Sequence, residues 1–441
     1  MIARVRLTRI LSIAVPIILG LLSQTVMNLV DTSMVRDTGN AALAAVGLAS
    51  FANFVAGAPI MGLSAGVQAL AARRVGESKV DSCALPLNGG LALCLGFGVP
   101  WVGLIAVFAP WWFPRLAGSE EIARVGLPYL YCRLAATVLV GMHFSFRAFW
   151  NATGRSKFYM VNLLIMHATN VLLDWVLIYG KFGAPALGVR GAGIASASAA
   201  VLGVSLHFWM ALRDARAQGF MRALPTREEL AATLRISLPT SLQQLFFAAG
   251  MTALMSILAR AGTDSAAASK VLMDLNLAAL LPAMGYGMAG TTLVSQALGR
   301  VEPRDAKQWG YECARVAGAT VVILCCPLWI APELVLSRFL TDASTIALAA
   351  PALRLMAASV CVDAAGMVLM NCLIGAGDSR RVMVVSLLLQ WVLFLPAAGV
   401  LVIWLHQGLM AVWLAQAAYR TLQTGIFFTL WQRERWMTIR L

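Results

Sequence analysis

The chain has 441 residues, 60% hydrophobic and 12% charged, with a formal net charge of +14. A soluble domain carries about a quarter charged residues, so this composition excludes a water-soluble enzyme and assigns the chain to the bilayer. The Lys and Arg fall in short loops instead of one basic patch, which argues against nucleic acid as a partner.

The first apolar run follows Arg4, Arg6 and Arg9 and is expected to span residues 10–35. Its length and the acid within it argue against a cleaved signal. Gln24, Asn28 and Asp31 stand at i, i+4 and i+7, one face of a helix. A carboxylate inside a membrane helix costs several kcal/mol unless a cavity, ion or partner meets it. Asp31 is therefore either an acid capped or snorkelling near the helix end or a binder of protons or cations.

Further spans are expected at 44–72, 84–109, 124–151, 158–180 and 187–212, each long enough to cross ~30 Å of hydrocarbon. In the fourth, His143 precedes Arg147 by one turn and reads as a packed polar pair, while Arg147 itself should snorkel. The fifth carries His167, Asn170 and Asp174 as a second polar stripe. Asp31 lies ~7 Å of helix rise from Arg36, and Asp174 ~10 Å from Lys181 at the same outer side. Two acids at one depth suggest a single site, and a close pair cannot stay doubly ionised without a cation. Ser196 in the sixth span could add an oxygen.

A basic linker, residues 213–235, separates the six-span half 1–212 from a second half, 236–441. That half should contribute spans at 230–259, 265–298, 308–331, 345–374, 381–405 and 409–431. Gln243 and Gln244 read either as cavity lining or as hydrogen-bonding glue between helices. Asp274 follows Lys270 by one turn, which favours a local ion pair. Asp363, near mid-membrane, is open between contacting cationic substrate, binding the coupling ion, and pairing with Arg354 or another base. Adjacent Cys325 and Cys326 read as core thiols.

The termini and alternate loops hold 21 Lys and Arg against 8 on the opposite side, which puts both termini in the cytoplasm. A shift of 223 residues superposes Pro16 on Pro239, Gly39 on Gly262, Pro59 on Pro282, Gly62 on Gly285 and Pro128 on Pro351. Six spans per half make these parallel repeats, the plan of a transporter. The symmetry fails at the acids: Asp31 faces Leu254, Asp174 faces Ala397, and Asp363 faces Val140. The expected fold is all-α, with twelve transmembrane helices in two parallel-repeat six-helix bundles around a central cavity. The metalloprotease HExxH motif, a Ser–His–acid set and the GxxxxGK(S/T) phosphate loop are absent from the sequence, so no catalytic residue is assigned and an enzyme is not expected.

LVDT at 29–32, AALAAVGL at 41–48, GVQALAARRVGE at 66–77, NATGRSK at 151–157, the run 170–196, LVSQALGR at 293–300 and GAGDSR at 375–380 follow one another along the chain. In this order they resemble the multidrug and toxic compound extrusion (MATE) family over essentially the whole length. The resemblance implies an antiporter of the bacterial inner membrane that exports amphiphilic or cationic compounds against protons or sodium. It implies no cofactor beyond H+ or Na+, no resident metal other than sodium at Asp31 and Asp174, and a monomer in the lipid bilayer. In DinF-type members the coupling acids match Asp31 and Asp174, with Asn170 beside them; Ser196 replaces a family Thr. A NorM-type acid in the seventh span is here Phe247, while one in the tenth matches Asp363. The resemblance thus mixes two branches, with the proton favoured over sodium. A lipid or lipid-linked oligosaccharide flippase of related fold is the alternative.

Overall fold

The computed structural model describes residues 3–223, 225–260, 263–340 and 342–439; Gly262 of the repeat and Arg440 of the basic tail lie outside them. The described residues form helices and connecting turns, with no strand among them. In chain order these are α1 (Arg4–Arg36), α2 (Asn40–Gly76), α3 (Val80–Ala117), α4 (Glu120–Ala152), α5 (Ser156–Tyr179) and α6 (Gly188–Asp214). The second set is α7 (Arg227–Ala259), α8 (Thr263–Gly299), α9 (Pro303–Ile330), α10 (Ala343–Gly375), α11 (Ser379–Trp404) and α12 (Leu409–Gln432). Eleven of the described helices are long and apolar enough to cross a membrane. α12 has a span's length, 24 residues, but Gln416, Arg420 and Gln423 dilute its hydropathy.

The internal repeat holds at the level of helix ends. Shifting α1, α2 and α4 by 223 residues lands on α7, α8 and α10 with the same first and last positions. The matched prolines, Pro16/Pro239, Pro59/Pro282 and Pro128/Pro351, all sit inside these helices, where each removes a backbone donor and bends its helix. π-turns interrupt α3 at Cys94–Gly98 and α11 at Leu388–Phe394 and Val400–Trp404.

The chain packs as two compact units, Leu19–Gln244 and Met1–Ile18 with Leu245–Leu441. The divisions fall inside α1 and α7, shortly after their matched prolines, and not in the basic linker. Each half of the sequence therefore gives the first stretch of its first helix to the unit built mainly from the other half. In the unit Leu19–Gln244, α7 lies so close to α2 that a Cβ on Gly62 would strike the Ser241 backbone. The absence of a side chain there lets Thr240 Oγ1 donate to the Gly62 carbonyl (3.0 Å) and Ser237 Oγ to that of Leu63 (2.8 Å). In the other unit Gly285 makes the equivalent approach, to Ile18 of α1.

The charged helix starts anchor these exchanged segments. Arg6 pairs with Asp305 and Glu312, both at 2.5 Å, and lies over Trp309. Its repeat counterpart, Glu229, pairs with Arg74 at 3.0 Å. The expected Lys270–Asp274 pair forms at 2.7 Å. All eight cysteines are free thiols.

Candidate functional site

Within the unit Leu19–Gln244, α1 and α5 are tied near their ends. Tyr179 OH donates its one hydrogen to Asp37 Oδ2 (2.8 Å), with the Met34 carbonyl also in range at 3.1 Å. That tie brings the polar stripes of the two helices together. Asp31 and Asp174 meet at hydrogen-bonding range. Asp174 is 1% exposed and accepts Nδ2–H of Asn170 at 2.7 Å. The Oδ1 atoms of both acids are buried and receive no hydrogen from any other protein group. Two facing carboxyl groups with no donor between them need one proton or one cation to be satisfied.

Gln24 and Asn28 continue the stripe along α1, with Gln24 Nε2 donating to Asn28 Oδ1 (3.2 Å). His167 of α5 joins them, its Nδ1 at 2.8 Å from Ser23 Oγ and its Nε2 at 3.3 Å from Gln24 Oε1. Ser196 is half-buried on α6 and, among the described residues, makes no hydrogen bond to either acid. Gln243 is half-buried and Gln244 exposed, at the end of the part of α7 that belongs to this unit.

One further residue faces the acid pair. Arg133, half-buried on α4, lies within electrostatic reach of both carboxylates, and its Nε–H has no hydrogen-bond partner. The sequence held a weak signal for it. Under the 223-residue shift Arg133 stands opposite Met356, so it is unmatched in the same way as the two acids. Two carboxylates and this guanidinium leave a single uncompensated negative charge.

In the other unit, Asp363 of α10 is 6% exposed and faces Arg420 of α12 at 3.6 Å. Arg420 also donates to Gln423 Oε1 (3.3 Å), and Gln423 reaches Ser386 of α11 at 3.5 Å. Asp363 is thus paired with a base, and that base is not Arg354, whose guanidinium turns to Glu333 (3.3 Å). The His143–Arg147 pair expected from the sequence does not form. Arg147 lies over the rings of Phe144 (4.3 Å) and Tyr159 (5.7 Å), and neither ring nitrogen of His143 has a partner. A flat guanidinium stacks on aromatic faces at little desolvation cost, which outcompetes a neutral imidazole. No cluster of three or more His, Cys, Asp or Glu suited to a metal occurs among the described residues.

With this geometry in place, the chain can be set beside known proteins. The family model MatE matches residues 16–176 and 239–398, one stretch in each half. A probable multidrug resistance protein NorM of Mannheimia succiniciproducens is 25% identical over 430 residues, covering 94% of this chain and 91% of that protein. The multidrug resistance protein NorM of Aliivibrio fischeri is 24% identical over 402 residues, covering 90% and 86%. Among solved structures, an outward-facing multidrug resistance MATE transporter superposes with a TM-score of 0.89 at 22% identity, covering 98% of this chain and 96% of that one. A MOP-superfamily transporter from Pyrococcus furiosus, described as having a binding pocket of reversed polarity, gives 0.88 at 21% identity, with the same coverages.

Proposed function

The chain belongs to the MatE family of membrane transporters, and on that premise we propose that it is a cation-coupled antiporter exporting amphiphilic, cationic compounds. The coupling ion binds at Asp31 and Asp174, with Asn170 fixing the second acid and Arg133 setting the charge. The observation that carries this reading is the facing pair of buried carboxyl oxygens that no other protein group satisfies. Its relatives are multidrug resistance proteins, which supports drugs as cargo in preference to a flipped lipid. The charge balance favours the proton. One proton neutralises the site, whereas sodium would have to sit beside a guanidinium.

Coupling requires only that ion and drug prefer opposite access states. Neutralising Asp31 alters the packing of the Leu19–Arg36 part of α1, whose other part, beyond the Pro16 bend, is counted with the second unit. The excess of Lys and Arg at the termini and alternate loops supports an orientation with both termini in the cytoplasm of a bacterial inner membrane.

Drug efflux from vesicles under a pH gradient or a sodium gradient, imposed separately, tests this. The wild type should run on the pH gradient. Asp31→Asn and Asp174→Asn should each abolish coupled efflux while the protein still inserts. Full efflux by both variants refutes the site, and a response to sodium alone reassigns the ion.

A further inference from the structure

Three of the chain's four histidines lie in the core of the unit Leu19–Gln244: His143 of α4, His167 of α5 and His207 of α6, 5%, 7% and 0% exposed. Helix symmetry does not call for an imidazole at any of them, since their repeat counterparts are Gly366, Gln390 and Leu430. His207 takes the indole N–H of Trp150 at Nδ1 (3.2 Å), leaving its buried Nε2 unpartnered. The His143 ring lies 4.9 Å from that of His207 and 5.3 Å from that of Tyr159, and within electrostatic range of His167. Both nitrogens of His143 are buried without a partner. Each buried polar atom left unmade costs about 1–3 kcal/mol, and a phenylalanine would fill the same aromatic surroundings without it.

These residues form a staircase. Counting helix rise from the end of the unit where α4 and α6 stop and α5 starts, His207 is ~10 Å in, His143 ~13 Å and His167 ~16 Å, with Asp174 at ~27 Å. From His167 the polar row continues through Gln24 and Asn28 on α1 and Asn170 on α5 to the acid pair.

We propose that His143 is a second proton-binding station of this unit, on the cytoplasmic side of the Asp31–Asp174 pair and in exchange with it through His167. The proposal rests on the proton reading of that pair. A ring with two free nitrogens takes a proton on one and yields it from the other without breaking any protein hydrogen bond. With Nδ1 accepting from Trp150, neutral His207 already carries its hydrogen on Nε2 and takes up no further proton unless it gives up Trp150, so it acts as a positioning residue. The charged and titratable groups facing His143 are Arg147 of its own helix, Tyr159 and His167 of α5, and His207 of α6. On α1 the file is met by the neutral Ser23 and Gln24.

The test uses the full-length protein in sodium-free vesicles under a pH gradient, with proton flux and drug efflux recorded together in H2O and D2O. His143→Phe should slow both fluxes about tenfold or more and raise the H2O/D2O rate ratio, with drug affinity within about twofold of wild type. His143→Gln, which keeps a polar group but cannot carry charge, should behave alike, and it stands in if the phenylalanine variant fails to bind drug. Wild-type fluxes and an unchanged isotope ratio in either drug-binding variant overturn the proposal. Efflux in wild type driven by sodium alone also overturns it, while leaving a cation at the acid pair intact. Full efflux by Asp31→Asn and Asp174→Asn instead refutes the pair itself.

Discussion

Asp363 and Arg420 are buried together, and each stands opposite an uncharged residue, Val140 and Ala197, in the first half of the chain. A buried carboxylate deprived of its cation keeps the desolvation penalty and loses the attraction that offsets it. Arg420→Gln should therefore destabilise the detergent-solubilised protein by about 3–5 kcal/mol. The double variant Asp363→Asn/Arg420→Gln should recover most of that loss in a thermal melt. A double variant as unstable as the single one would show that the guanidinium matters instead through Gln423 and the Tyr419 ring, whose centroid lies 5.2 Å from it. The meeting of Asp31 with Asp174 was legible because both acids sit at one depth on helices running the same way. Arg133 and Arg420 stand opposite the uncharged Met356 and Ala197, but Arg147, Arg315 and Arg354 also lack a charged counterpart, so the repeat does not single the two out. Nor does it supply the pairing, because α4 and α12 are far in sequence from the acids they face.

At the scale of the helix, some helices run four to eight residues past the expected ends, as at Val80–Ala117 against 84–109. Their number, their order and the prolines inside them were legible, since the repeat doubles each signal. The π-turns were not, because a one-residue bulge leaves the apolar pattern almost unchanged. The matched glycines Gly62 and Gly285 read alike in sequence but differ in what faces them. An added side chain at Gly62 meets the Ser241 backbone, while one at Gly285 meets Ile18 Cγ1 and comes to the Ile18 backbone nitrogen only at 3.4 Å. Gly62→Val should cost about 3 kcal/mol and Gly285→Val about 1 kcal/mol, read as melting of the purified protein. Equal losses would mean the side chain at 18 is as unyielding as backbone. α10 is capped by the preceding Asp342, whose carboxylate accepts the Thr345 N–H and hydroxyl, both at 2.7 Å, and the Ser344 hydroxyl at 2.5 Å. These donors hold its pKa down to about 2. Because the folded value lies below the ordinary one, the cap's contribution is complete above about pH 4 and is lost as pH falls through about 2. Asp342→Ala should lower the melting temperature at neutral pH and remove this acid-dependent part of the profile.

On the scale of the whole molecule, the first stretches of α1 and α7 each belong to the unit made mostly by the other half. Cutting the backbone in the basic linker should consequently leave a complex that purifies intact when both pieces are co-expressed. Either piece produced alone should be degraded, because its core lacks the segment the other supplies. Separation of the co-expressed pieces on a sizing column would contradict this. Crossed arms of this kind are how identical chains hold one another when they swap elements. A half-length precursor carrying the same proline-bent first helix would already have been able to clasp a second copy of itself, with the linker added later as a tether that keeps the two copies in fixed proportion.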